Sequence, residues 1–320
     1  MNAMAGSTTR LAPSPTGALH LGNARTFILT AWWAASIGAD VVLRIEDLDH
    51  PRKKPGAIES LREDLRWMRV DWMRETPIQS SRSLSHTRAL LHLLESGFVY
   101  ACRCSRRDVV DAQSAPHDTP LDLVYPGTCA GLDIDPIAES ARLGKPLALR
   151  FRVPDVDVAF DDLVQGPRNF RLSSESGDFV VARVTPDGRF EPGYQLAVVL
   201  DDAEDGVTHV LRGADLLLSA ARQRVVQAAL DLPPVVYGHF PLVVGDDGRR
   251  LAKRHGDTRI ATLRERGMTA ERLWNWTAAS IRLPADTIDG HRSRRLDFDR
   301  FPRVPVVATT LDIERELLSP

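Results

Sequence analysis

Arg10-Leu-Ala-Pro-Ser-Pro-Thr-Gly-Ala-Leu-His-Leu-Gly-Asn23 joins two segments of different periodicity. Upstream, Thr8 to Ala12 suits a short strand. Downstream, Asn23 to Ile37 carries Phe27, Ile28, Ala31, Trp32 and Ala35 at helical spacing, and Gly38 stops the helix. A strand that breaks into a loop and then opens a helix presents free backbone N–H groups and the positive end of a helix dipole. Such a place takes an anion, most often a phosphate. The two prolines stiffen the loop, and Gly17 and Gly22 let backbone approach a ligand closely.

Working outward, Val41-Val-Leu-Arg-Ile45 is an apolar run that predicts a buried strand. Strand, loop, helix and strand begin a parallel α/β sheet, in which ligands sit beyond the carboxyl ends of the strands. Glu46-Asp-Leu-Asp49 falls at that end. Glu46 is placed to hold a substrate ammonium group, while Asp47 and Asp49 suit either the same crevice or a solvated loop. Pro55 opens a helix to about Arg69, with Ile58, Leu61, Leu65 and Met68 on one face. A second helix, capped by Ser85 and ended at Gly97, buries Leu90, Leu91 and Leu94.

The whole chain has 320 residues, with 41 Lys and Arg against 43 Asp and Glu, a net charge of −2. That balance excludes a generally basic nucleic-acid binder, so any RNA contact is a local patch. No apolar run approaches the ~20 residues of a membrane span. Met1 to Thr9 is small and polar, without the apolar core of a signal peptide, and predicts a loose tail on a cytoplasmic protein. The three cysteines fall between Cys102 and Cys129, and an odd, clustered set suits a reduced compartment and a metal. Three thiolates plus one further donor make a closed tetrahedral zinc site of structural type. Composition offers His117 and Tyr125 as the fourth ligand, His being the commoner one.

Alternating runs at Leu147–Val153, Val156–Phe160 and Phe179–Val184 predict strands of a smaller inserted lobe. Asp155, Asp157, Asp161 and Asp162 read as turn and edge charges. Tyr194-Gln-Leu-Ala-Val-Val-Leu200 begins a helix, followed by Asp201-Asp202, and Val207–Leu211 is a strand with Arg212-Gly-Ala-Asp215 at its carboxyl end. There Arg212 suits either a surface salt bridge or a carboxylate ligand gripped bidentately. His209 alternates with buried positions and reads as a structural histidine. Pro241 to Arg254 runs from a short strand through an Asp-Gly turn into a basic loop, Arg250-Leu-Ala-Lys253-Arg254. Thr269 caps a later helix containing Leu273, Trp274 and Ile281, and Arg292-Ser-Arg-Arg295 is a basic patch.

The first stretch resembles the first signature of class I aminoacyl-tRNA synthetases, the HIGH motif, in its glutamyl form. Here it is His20-Leu21-Gly22-Asn23, with Asn in place of the second His, able to donate to a phosphate but not to carry charge. Arg44-Ile-Glu-Asp-Leu-Asp49, Tyr194-Gln-Leu-Ala197 and Val210-Leu-Arg-Gly-Ala-Asp215 resemble further glutamyl-synthetase segments. The basic loop resembles the second signature, KMSKS, with Arg250 and Ala252 replacing its first Lys and first Ser. Cys102-Arg-Cys104 followed by Tyr125-x3-Cys129 resembles the zinc site of the glutamyl-Q tRNA(Asp) synthetases, which implies Tyr125 as fourth ligand beside Cys102, Cys104 and Cys129.

The resemblance implies an α/β fold of the class I synthetase type. Residues 1–9 would be a flexible tail. Residues 10–97 and 191–258 would form the two halves of a Rossmann-like catalytic domain. Residues 98–190 would be an inserted acceptor-binding-like domain with the zinc site, and 259–320 a helical, stem-contact-like region. It implies that His20, Asn23 and Lys253 stabilise phosphates, and that Pro13, Gly17 and Gly22 join them in binding ATP. Arg10, Ser14, Glu46, Tyr194 and Arg212 would hold glutamate. The implied reaction is activation of L-glutamate with ATP and magnesium, without tRNA, then transfer to queuosine in the anticodon loop of tRNA(Asp) by a monomer. A large anticodon-reading domain after the second signature is not part of this sequence, which argues against the rival reading of a truncated glutamyl-tRNA synthetase charging a 3′ end. The substitutions at Asn23, Arg250 and Ala252 sustain a second rival, an inactive nucleotide- or RNA-binding paralogue.

Overall fold

The computed structural model describes residues 6–15, 17–48, 55–111, 124–249, 251 and 257–318. Asp49, His117, Arg250, Ala252, Lys253 and Arg254 lie outside the described residues. Strand β1 (Thr8–Leu11) leads through the loop into helix α1 (Leu21–Ile37). The helix starts two residues before its expected beginning, because Leu21 already belongs to its buried stripe. Gly38 ends it at φ 71°, a conformation that costs glycine little. Strand β2 (Asp40–Leu43) pairs parallel with β1, Thr8 opposite Asp40 and Leu11 opposite Leu43. Helix α2 (Ala57–Trp67) and the short strand β3 (Arg74–Glu75) complete this half.

Helix α3 (Ser83–Glu95) follows directly from a 3-10 turn at Gln79–Arg82. Ser85 is therefore not its cap. It lies inside the first turn, and its hydroxyl donates to the Glu204 carboxylate instead. The insertion then runs through β4 (Val99–Cys102), α4 (Arg106–Asp111), α5 (Pro136–Leu143), β5 (Leu147–Phe151), β6 (Asp157–Asp162), β7 (Gly166–Arg171), α6 (Leu172–Glu175), β8 (Phe179–Val184) and β9 (Phe190–Pro192). Its antiparallel sheet has the order β4-β5-β8-β9, and β6–β7 forms a separate hairpin. Asp155 and Asp157 are exposed partners of Arg171, as turn charges should be. Asp162 is not an edge charge. The hairpin folds back onto the main sheet, burying Asp162 to 3 % exposure against His239.

Helix α7 (Tyr194–Glu204), β10 (His209–Gly213), α8 (Leu217–Ala229) and β11 (Val236–Phe240) return the chain to the first sheet. All five strands, in the order β11-β10-β1-β2-β3, are parallel. The chain builds outward from β1 to β3 and then resumes on the other side of β1, so the crevice opens between β1 and β10. Strand β12 (Val243–Val244), helices α9 (Ile260–Glu265), α10 (Ala270–Ser280) and α11 (Ile288–Ser293), and strand β13 (Val306–Val307) follow, and helical turns at Thr310–Ile313 and Glu314–Leu318 finish the described chain. Thr269 caps α10, its hydroxyl accepting from Arg272 N–H. Helices α10 and α11 pack on α1, where buried Trp32 and Trp274 lie 6.0 Å apart. Each indole N–H is satisfied at 2.8 Å, Trp32 by the Arg294 carbonyl and Trp274 by the Met68 carbonyl. No described helix is long and apolar enough to cross a membrane.

Three buried histidines tie stability to pH. His209 bonds Thr208 and packs on Trp33, a structural role. Burial holds His209, His239 and His291 below their usual value of 6.5. The unfolded chain then binds more protons than the folded one as pH drops through that value, so this stability is present above 6.5 and lost below it. The histidines work to lower the urea midpoint between pH 7.5 and 5.5, against an opposing contribution from Asp64, whose carboxyl burial raises to about 6. NMR titration of the three rings checks the assignment, and a ring titrating at 6.5 or above would contradict it.

Candidate active site

A cleft of about 390 Å³ opens where β1 and β10 part. Residues expected to hold the amino acid reach the cleft from separate strands: Arg10 from β1, Glu46 from just beyond β2 and Arg212 from β10, with Tyr194 from the start of α7. His20, Gly22 and Asn23 line it from the beginning of α1. Ser14 is exposed and, with Pro13 and Gly17, stands off the cleft wall. Pro13 contributes through its carbonyl, which accepts from Glu46 N–H at 3.0 Å.

The two signature regions meet at the N-terminus of α1. Leu21 N–H donates to the Thr258 carbonyl at 2.9 Å, and Ile260 N–H donates to the Leu19 carbonyl at 2.8 Å. On the other side, Leu251 N–H donates to the Val243 carbonyl at 3.3 Å, and Leu251 lines the cleft. Leu251 of the basic loop is thus fastened to β12, and the segment after the loop to the N-terminal end of α1. Asp47 is a fastening too, and is not among the residues that line the cleft. Buried at 1 % exposure, it accepts from the Ser80 N–H and hydroxyl, both at 2.8 Å.

A buried ionic clamp behind Glu46 was not apparent in the sequence. Arg44 is fully buried. Its Nη2 donates to Glu46 Oε1 at 3.0 Å and Asp202 Oδ1 at 2.7 Å, and its Nη1 donates to Asp205 Oδ2 at 3.1 Å. Arg82 donates to Asp205 at 2.5 Å, while Gln79 and His86 reach Asp201 at 2.6 and 2.8 Å. Asp201 and Asp202 lie on α7, the helix that begins with Tyr194, so one network sets both Glu46 and Tyr194. Burial raises the Glu46 carboxyl above its usual range, against the pull of Arg44 and Arg10. The available signal was an arginine inside an apolar strand run together with paired aspartates in an apolar helix.

Arg212 is buried and reaches Tyr194 OH from Nη1 at 3.2 Å and the Leu216 carbonyl from Nη2 at 3.3 Å. Its Nε donates to His239 Nε2 at 3.0 Å, a contact that spacing alone could not reveal.

The cysteines form a separate centre at the end of β4. The Sγ atoms of Cys102, Cys104 and Cys129 lie within 4.8 Å of one another. Tyr125 OH sits among them, 3.3 Å from Cys102 Sγ and 3.7 Å from Cys104 Sγ, and accepts from Cys129 N–H at 2.8 Å. The Arg150 guanidinium stacks 3.8 Å from the Tyr125 ring centroid. Gly177 makes the approach possible: at φ +60°, an added Cβ would lie 2.7 Å from the Tyr125 carbonyl oxygen. Burial pushes the Cys104 thiol up to about 11 and raises the Tyr125 phenol as well. A divalent cation reverses that logic, and the soft, compact donor set fits one.

Residues 7–281 match the family described as tRNA synthetases class I (E and Q), catalytic domain. The chain is 44% identical over 317 residues to a glutamyl-Q tRNA(Asp) synthetase of Rhodopirellula baltica, covering 95% of each. It is 43% identical to the glutamyl-Q tRNA(Asp) synthetase of Symbiobacterium thermophilum, covering 93% of this chain and 94% of that one. The fold is shared with a glutamate tRNA ligase of Elizabethkingia meningosepticum, at TM-score 0.79 and 24% identity, over 97% of this chain and 68% of the ligase.

Proposed function

The chain belongs to the class I tRNA synthetase family of the glutamate and glutamine type, and from that premise we infer that it carries out the glutamyl-Q tRNA(Asp) synthetase reaction. The carboxylate of L-glutamate attacks the α-phosphate of ATP, giving glutamyl-adenylate and pyrophosphate. A hydroxyl of queuosine in the anticodon loop of tRNA(Asp) then takes the glutamyl group as an ester, releasing AMP. The convergence of Arg10, Glu46, Tyr194 and Arg212 on the cleft at the N-terminus of α1 carries this reading. Near end-to-end similarity to two glutamyl-Q tRNA(Asp) synthetases supports the choice of acceptor.

Glu46 receives the substrate ammonium, and Arg212 with Tyr194 receives the side-chain carboxylate. Arg10 completes the amino-acid pocket. His20, Asn23 and the positive end of α1 hold phosphate oxygens, with Gly22 allowing close backbone approach. Lys253 neutralises charge on the departing pyrophosphate, and magnesium arrives with the nucleotide. No protein nucleophile is needed, because positioning and phosphate electrostatics suffice. Cys102, Cys104, Cys129 and Tyr125 would hold one zinc ion, which supplies structural order to the insertion and leaves no open position for substrate. The same reading places the enzyme in the cytoplasm as a monomer.

Glutamate-dependent ATP–pyrophosphate exchange without tRNA tests the first step. Exchange with glutamate, but little with glutamine or aspartate, is expected. Transfer to tRNA(Asp) should then require queuosine, whereas esterification of a 3′ end would move the assignment to a conventional ligase. Lys253→Ala is expected to slow exchange about 10²–10³-fold while leaving glutamate affinity near its original value. Comparable exchange rates in the two proteins would remove Lys253 from the mechanism.

A further inference from the structure

The arginine assigned to the glutamate side chain is itself held from behind. Arg212 Nε donates to His239 Nε2 at 3.0 Å, and His239 Nδ1 lies 2.5 Å from Asp162 Oδ2. A guanidinium only donates, so Nε2 is the accepting nitrogen and the ring proton sits on Nδ1, given to Asp162. The other carboxylate oxygen of Asp162 accepts from the N–H groups of Val164, Gln165 and His239, at 3.0, 2.8 and 3.0 Å. Arg212, His239 and Asp162 are exposed by only 5, 0 and 3 %.

We propose that His239 and Asp162 are positioning residues for glutamate selection: together they fix the plane and rotation of the Arg212 guanidinium before substrate arrives. The proposal rests on Arg212 as the side-chain anchor. A guanidinium on a flexible stem loses entropy when it grips a carboxylate, and ordering it beforehand removes that cost from binding. The relay also suits a buried cation electrically. Burial works to raise the Asp162 carboxyl, but the His239 ring and the backbone N–H groups hold it below the usual range, so it stays ionised. Burial keeps His239 below its usual value against the pull of Asp162, so its Nε2 remains an acceptor at neutral pH.

Strand geometry brings the relay together. Gly238 precedes His239 on β11, and a Cβ there would lie 2.5 Å from Leu211 Cδ2 on β10. Asp162 comes from β6 of the insertion, whose hairpin is fastened by Leu163 N–H to the Tyr237 carbonyl at 2.8 Å. Selection of the amino acid in the sheet domain therefore depends on how the insertion docks.

Two substitutions of similar shape separate this from ordinary packing. His239→Gln places an amide oxygen near the Nε2 position and keeps an acceptor for Arg212. His239→Asn keeps a donor for Asp162 but loses that acceptor. The H239N and H239Q proteins are assayed beside R212Q in glutamate-dependent exchange, each with its urea midpoint. H239N is expected to raise the KM for glutamate about tenfold or more, with kcat and the KM for ATP little changed, while H239Q stays close to wild type. Asp162→Asn should raise the glutamate KM in the same direction, and serves if the His239 variants fold poorly. Equal losses in H239N and H239Q, or losses that follow the urea midpoints, would overturn the relay. So would an unchanged glutamate KM in H239N and D162N when R212Q is impaired. An unchanged glutamate KM in R212Q would instead reject the anchor role of Arg212, and the relay with it.

Discussion

Arg44→Met is expected to cost about 3–5 kcal/mol of folding stability and to abolish glutamate activation. Arg44 has no exposed surface, and its guanidinium contacts Glu46, Asp202 and Asp205 through separate N–H groups, with Asp201 3.9 Å away. Methionine matches much of the volume, so the penalty is electrostatic. Several carboxylates would remain out of water without their shared cation, and buried charge without a partner is far more costly than the pair is favourable. Lysine should rescue little, because one ammonium cannot reproduce a planar fork aimed at three side chains. Protonation neutralises unpaired carboxylates, so the deficit of the variant should shrink as pH falls from 7 toward 5. Urea unfolding followed through the six tryptophans, run beside pyrophosphate exchange, measures both effects. Near-native stability in Arg44→Met would show that the clamp is dispensable.

Removing the metal should have the other large effect. Structural zinc contributes about 10–16 kcal/mol of apparent binding energy in small zinc-dependent folds, and part of that is folding energy. One metal ion per chain is expected, with strong chelation lowering the melting temperature. Cys104→Ala should lose the metal, since it removes a thiolate from the shared cluster. Tyr125→Phe is the sharper test: it keeps the ring under Arg150 but removes the oxygen among the thiols and the acceptor for Cys129 N–H. It should retain metal more weakly. Unchanged metal affinity in Tyr125→Phe would assign the fourth donor elsewhere, with His117 the next to test. None of the four residues lines the glutamate cleft, so glutamate exchange at low temperature should suffer less than thermal stability.

Much of this protein was legible one segment at a time. The Pro- and Gly-bearing loop before α1, the apolar run of β2 and the end of α1 at Gly38 are signals that neighbouring residues impose through backbone chemistry. The cysteine cluster was equally readable, because an odd, closely spaced set of thiols suits a metal better than disulfides. Ser85 shows the limit of such signals. A capping residue type was present, but a preceding 3-10 turn started the helix earlier and gave the hydroxyl a distant partner.

Asp162 and Arg44 show a deeper limit. An aspartate beside a turn is usually solvated, and an arginine just past a strand does not by itself identify its counterions. Asp162 meets His239 77 positions away, Arg44 meets Asp202 158 positions away, and Leu21 donates to Thr258 across the chain. Residue type and spacing were enough for the strand–loop–helix, the direction of the sheet and the clustering of the three cysteines, because those follow from local backbone preference and thiol chemistry. The charge partners, and hence which polar groups hold substrate and which hold the fold, were decided by packing. A buried charge takes whichever partner the assembled elements bring within a few ångströms, and no local pattern encodes that distance.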